Sequence, residues 1–150
     1  MATVFFDTSA LAKRYLITES GAERVQALFA DPDLVALIAR VTTVEIASAF
    51  GRRLREGQMD PSAHQSVWGT FRAHLANHYS VVEPDVSIWD EAVRLCIDYP
   101  LRAYDAVQLS TALGVARMVE AGRDELQFCT ADRRQADVAI REGLAVEPIV

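Results

Sequence analysis

The feature that most constrains this chain is an alternation of short apolar runs with longer segments of helical periodicity. Residues 3–6, 34–38, 80–83, 126–129 and 146–150 are short runs rich in β-branched, aromatic and aliphatic side chains and read as strands. Between them, apolar residues recur three and four positions apart, the pattern of helices buried on one face. Ile46, Ala47, Ala49, Phe50 and Leu54 form one such stripe, Val67, Phe71 and Leu75 a second, and Ile88, Ala92, Leu95 and Cys96 a third. Helices are predicted over residues 10–16, 20–30, 44–56, 61–78, from Asp85 to the Tyr99-Pro100 break, over 103–120, and after Asp132 to about residue 142. Ser20, Asp60 (followed by Pro61) and Asp85 supply N-caps, and Gly57 and Gly143 supply stops. Strands alternating with helices, each strand nearly continuously apolar, specify an α/β fold: one mostly parallel sheet with helices on both faces, three layers in all.

At 150 residues the chain is one domain's worth, residues 1–150, and is long enough to bury a core without staples. Cys96 and Cys129 lie in apolar stretches with no metal-ligand spacing, so both are expected to be buried free thiols in a reducing compartment. No basic segment precedes an apolar run at the start, and no apolar run approaches the roughly 20 residues of a membrane span, which points to a cytoplasmic protein without a membrane partner. The net charge of −6 argues, taken alone, against a polyanionic partner. Fourteen of the 15 basic residues are Arg, and Lys13 is the one Lys.

In a parallel sheet flanked by helices, ligands gather beyond the carboxyl ends of the strands. Four carboxylates are expected near that rim. Asp7 follows the first strand, Glu45 is expected in the first turn of the helix after the second, Asp105 in the first turn of the helix from Ala103, and Asp132 just after the strand 126–129. Each has an ordinary structural role open to it: Thr42-x-x-Glu45 fits a capping box, Asp7 and Asp132 can cap helices, and Asp105 suits a helix dipole. As a set they mean more. Two carboxylates about 4 Å apart repel by roughly 4 kcal/mol at an effective dielectric of 20, so four sharing a pocket call for a cation. An all-oxygen donor set without His or Cys suits Mg²⁺ or Mn²⁺, ions that bind phosphate oxygens and activate water.

The segments Asp7-Thr8-Ser9-Ala10-Leu11, Thr43-Val44-Glu45-Ile46-Ala47, Leu101-Arg102-Ala103-Tyr104-Asp105-Ala106-Val107-Gln108-Leu109 and Thr130-Ala131-Asp132-Arg133, taken in that order, resemble the four acidic motifs of the PIN-domain ribonucleases, most closely the VapC-type toxins of type II toxin–antitoxin modules. The resemblance spans nearly the whole chain and implies a PIN-like fold. It also implies a Mg²⁺-dependent (or Mn²⁺-dependent) endoribonuclease acting on tRNA, rRNA or mRNA, a small cognate antitoxin encoded beside it, and a homodimer. By the same resemblance Asp7, Glu45, Asp105 and Asp132 are the metal-binding and catalytic positions, and Thr8 or Ser9 and Thr130 supply hydroxyls to them. Gln135 departs from the apolar or aromatic residue that the pattern expects in the last helix.

Arg102 and Arg133 neighbour the acidic residues in sequence and are expected to contact phosphate, for which the guanidinium fork is suited. Arg52, Arg53 and Arg55 are read as a solvated face. His74 and His78 share a helix face four residues apart, without the Glu that a metalloprotease helix would carry between them. Other readings remain open: a PIN-fold nuclease of RNA processing or of DNA, or a phosphoryl-transfer or binding module of similar α/β fold. A phospho-acceptor site wants a Lys after a late strand, whereas Lys13 is in the first helix; a dehalogenase-type phosphatase wants an Asp where Ser9 stands.

Overall fold

The structure is a computed structural model, described over residues 2–122 and 124–149. Five strands, β1 (Thr3–Phe6), β2 (Val35–Ala39), β3 (Tyr79–Val82), β4 (Leu126–Thr130) and β5 (Ala145–Pro148), form one sheet in the order β3-β2-β1-β4-β5. Every pairing is parallel, with Phe5 opposite Leu37 on one side and Phe128 on the other. Seven helices connect them: α1 (Thr8–Leu11, continued by a 3-10 turn at Ala12–Arg14), α2 (Ala22–Phe29), α3 (Arg40–Arg55), α4 (Pro61–Asn77), α5 (Val86–Asp98), α6 (Ala103–Ala121) and α7 (Arg133–Arg141).

Alternation along the strands builds two cores. Phe5, Leu126 and Phe128 face the helices α5, α6 and α7, where Leu95, Leu109 and Val138 meet them. Val4, Phe6, Ile38 and Cys129 face the other side and pack with Leu11, Val25, Ile46, Phe50 and Phe71 from α1 to α4. The expected three-layer α/β/α architecture therefore holds, with the sheet parallel throughout. Among the described residues no helix is long and apolar enough to cross a membrane.

The expected caps at Asp60 and Asp85 form. Asp60 accepts a hydrogen bond from Ala63 N at 2.7 Å, Asp85 from Ile88 N at 3.0 Å, and Tyr99 leaves α5 in extended backbone ahead of Pro100. Gly57 ends α3 at φ +75°, a left-handed turn open to Gly at little cost.

Several boundaries differ. α2 starts at Ala22 behind Gly21, not behind a Ser20 cap. α3 starts at Arg40, directly off β2, with Ala39 at its N-cap and no side-chain capping bond. Glu45 is thus in the second turn of α3, and the Thr42-x-x-Glu45 capping box does not form. Two stripe residues are solvent-exposed, Ala47 on α3 and Cys96 on α5; of the two free thiols only Cys129 is buried. The stripes were each one residue too wide, since Ile46/Phe50 and Ile88/Ala92/Leu95 already fill their faces. The first predicted helix breaks after Leu11, the third predicted strand begins at Tyr79, and the last runs from Ala145, with Val150 outside the described residues.

Phe128, fully buried at the centre of its core, sets a stability test. Phe128→Ala is expected to lower unfolding free energy by about 3–5 kcal/mol in urea titration. Ile97→Ala, at a residue 78% exposed, is expected to change it by less than about 0.5 kcal/mol.

Candidate active site

The sheet order reverses between β1 and β4, so these neighbouring strands release their chains side by side at one rim. Asp7 comes off β1 and caps α1; Asp132 comes off β4 and caps α7. Asp7 is 4% exposed. Its Oδ1 accepts from Ala10 N at 3.0 Å and Ser9 Oγ at 2.7 Å, and its Oδ2 accepts from Thr130 Oγ1 at 2.5 Å. Thr130 Oγ1 in turn accepts from Asp132 N at 3.1 Å, and Asp132 Oδ1 accepts from Gln135 N at 3.1 Å. Ser9 Oγ also accepts from Ala131 N at 3.0 Å, which ties the two strand exits together.

Glu45 is held from the other side. Its Oε1 accepts from Thr8 Oγ1 at 2.9 Å and from Gln108 Nε2 at 2.8 Å. The Gln108 amide nitrogen also lies 2.7 Å from Thr42 Oγ1 and 2.8 Å from Thr8 Oγ1. Because Glu45 needs a donor there, the amide cannot turn over, and Gln108 Oε1 is left buried with no partner in the structure. Asp105 stands one helical turn before Gln108 on α6 and is half-buried. Its backbone carbonyl accepts from Gln135 Nε2 at 2.8 Å. The departure at Gln135 is therefore a buried polar tie between α7 and α6.

Thus Asp7, Glu45, Asp105 and Asp132 line one cleft of about 510 Å³. Burial pushes the Asp7 carboxyl up to about 6, against its three hydrogen bonds and with the Asp105 charge adding to the rise. Asp105 is raised by burial first, then by the charges of Asp132 and Glu45, while Arg102 and Arg134 oppose this. The carboxylates feel one another, yet among the described residues no three of them stand close enough together to hold a metal ion. By its chemistry, though not by its spacing, the donor set suits a hard divalent cation: oxygen ligands only, with mutual repulsion that a cation would relieve.

Ser9 and Thr130 bond Asp7, and Thr8 bonds Glu45. Arg102 lines the cleft, and an adjoining cleft of about 460 Å³ collects Arg102, Arg133, Arg134 and Gln135 beside Asp105 and Asp132. Among the described residues none of these three guanidiniums has a carboxylate ion-pair partner. Arg52 is solvent-exposed, as a solvated face requires, and also lines the carboxylate cleft, whereas Arg53 pairs with Glu19. Lys13 is likewise committed to Glu19, at 3.2 Å, and does not line the carboxylate cleft. His74 accepts or donates at 2.8 Å with the Tyr15 hydroxyl, away from this rim. Thr42, Gln108, Arg52 and Arg134 also reach this rim and are not among the site residues assigned from the sequence. Only Gln108 carried a usable signal, its i+3 spacing from Asp105 on one helix face.

No family profile matches the sequence, and no curated protein does. Solved structures do match. The chain resembles VapBC2 from Rickettsia felis, crystallised with a promoter DNA fragment, at TM-score 0.63 and 11% identity, over 97% of this chain and 98% of that one. It resembles VapC20 of Mycobacterium tuberculosis, a sarcin–ricin loop cleaving toxin, at TM-score 0.62 and 12% identity, over 90% and 94% of the two chains. A toxin–antitoxin complex from Klebsiella pneumoniae matches at TM-score 0.53 and 21% identity, over 88% of each. The fold is that of the VapC-type PIN-domain toxins.

The raised Asp7 carboxyl has a thermodynamic consequence in metal-free protein. Its folded value, about 6, lies above the usual 3.8, so the folded state holds the extra proton between those values and stability falls as pH rises through that window. Asp7→Asn removes this slope. Urea titrations at pH 4.5 and pH 7.5 are expected to show the variant gaining on the wild type by about 2 kcal/mol at the higher pH.

Proposed function

We propose that this protein is a Mg²⁺-dependent endoribonuclease and the toxin of a type II toxin–antitoxin module. What supports the reading is the meeting of Asp7, Glu45, Asp105 and Asp132, from four separate segments of sequence, in one cleft at the switch point of a parallel sheet. The toxin assignment draws on the fold shared with toxins of Rickettsia and Klebsiella complexes and with a toxin that cleaves the sarcin–ricin loop. Residues 1–150 act as a single nuclease domain, cytoplasmic, dimeric with a second copy, and held in check by a small cognate antitoxin.

The four carboxylates would hold Mg²⁺, or Mn²⁺ in its place. When bound, the ion supplies a water of lowered pKa and offsets charge on the phosphate. The chain's own residues do the rest. Thr130 and Ser9 fix both oxygens of Asp7, and Thr8 and Gln108 fix Glu45, so the carboxylates are oriented before substrate arrives. Arg102 and Arg133, with Arg134, take phosphates flanking the scissile one and set the strand's direction through the cleft. The reaction is hydrolysis: a water oxygen bonds to phosphorus, the opposite phosphorus–oxygen bond breaks, and the leaving ribose oxygen takes a proton.

Asp105→Asn is expected to abolish RNA cleavage in Mg²⁺, by at least about 100-fold in rate, while folding like the wild type by circular dichroism. Calorimetric titration with Mn²⁺ should show binding by the wild type and its loss in the variant. Full RNase activity in Asp105→Asn would overturn the site, and growth unaffected by expression of the wild type would overturn the toxin role.

A further inference from the structure

Two large apolar side chains line the carboxylate cleft while remaining open to water: Tyr104, 54% exposed, and Val44, 62% exposed. Each immediately precedes a carboxylate of the site, Asp105 and Glu45, on a different helix. Neither belongs to a core. Neither is what the local structure asks for, since an exposed turn of helix is better served by Ala, Glu or Lys than by a β-branched or aromatic residue. Among the described residues the Tyr104 hydroxyl has no hydrogen-bond partner. Arg102 and Arg52 line the same cleft.

An exposed aromatic ring in a cleft that also holds guanidiniums and carboxylates matches the chemistry of one ligand part in particular. A nucleobase has a flat apolar face to stack on a phenol ring and carries phosphates on either side that Arg can meet. We infer that Tyr104, with Val44, is the platform on which one unpaired base of the RNA stacks beside the scissile phosphate. The inference rests on the endoribonuclease reading and narrows it: a base in a duplex keeps its faces against its neighbours, so the cleft selects single-stranded or looped RNA. Tyr104 is then a specificity-determining residue that acts by stacking and not through its hydroxyl.

The test uses the full chain in the Asp105→Asn background, so that RNA is bound without being cut. The probes are an unstructured mixed-sequence RNA oligonucleotide, the same RNA carrying 2-aminopurine, and the RNA annealed to its complement. Tyr104→Ala is expected to weaken single-strand binding by roughly 10-fold or more in fluorescence anisotropy and to leave duplex binding unchanged. Tyr104→Phe should bind like its parent, and 2-aminopurine should be quenched by the Tyr and Phe forms but not by the Ala form. Because position 104 is exposed on a helix, Tyr104→Ala should unfold at the same urea concentration as its parent. Equal single-strand binding by the Tyr and Ala forms, or failure of Phe to restore it, overturns the platform. If, with Asp105 restored, Tyr104→Ala cuts looped and single-stranded RNA as the wild type does, the platform falls and the nuclease stands. If the wild type neither binds nor cuts any RNA, both fall together.

Discussion

Four carboxylates at one rim of a sheet repel one another, and much of this structure is the means of keeping them there. Asp7 is the extreme case, a buried carboxylate that would be costly without its three donors. Two of those donors are hydroxyls, Ser9 and Thr130, each of which also accepts from the backbone of the 131–132 segment. The same small groups thus stabilise the charge and lock two strand exits together. Two buried amides extend the arrangement: Gln108 joins α6 to α1 and α3, and Gln135 joins α7 to α6. Each amide leaves its carbonyl oxygen unpaired, which is a cost in a dry interior. A site tuned for stability alone would not be built this way.

The same tension extends to Asp105. Asp105 is pushed up by its neighbours Asp132 and Glu45 and pulled down by Arg102 and Arg134. On the proposed reading a bound divalent ion would reverse the sign of the local field, so that the formal charge of −6 would describe the bare chain and not the surface offered to a phosphate backbone. The near-absence of Lys fits the proposed reading, in which planar guanidiniums at Arg102, Arg133 and Arg134 would grip phosphates from a fixed direction.

What could be read in the sequence was what is local. Asp60, Asp85 and Asp132 announce their helices because the capping oxygen and the N–H it meets lie within three residues. The four carboxylates were found because each sits at a fixed offset from a strand end or a helix start. The start of α3 was misplaced because Ala39 has no side chain with which to mark it, and Thr42, which seemed to, turns its hydroxyl to Gln108 instead. Gln108 reaches Thr8 across 100 residues of sequence, and Arg52 and Arg134 reach the cleft only once the helices are docked. No local pattern encodes such meetings. Cys96 and Ala47 were assigned to buried stripes because a periodicity gives a direction around a helix and not the width of the groove it enters.

The junction at Ala39, where β2 passes into α3 with no intervening loop, bears on how this chain can change in length. An α-helix turns about 100° per residue, so one amino acid gained or lost between β2 and Glu45 would swing that carboxylate out of the cleft altogether. The junction from β4 through Ala131 to Asp132 is equally taut. By contrast, the turn through Gly57 between α3 and α4 bears no group of the site. Homologous chains should therefore differ in length at such turns while keeping the count fixed from Val35 to Glu45 and from Leu126 to Asp132, so that spacing, more than residue identity, is the heritable mark of this site.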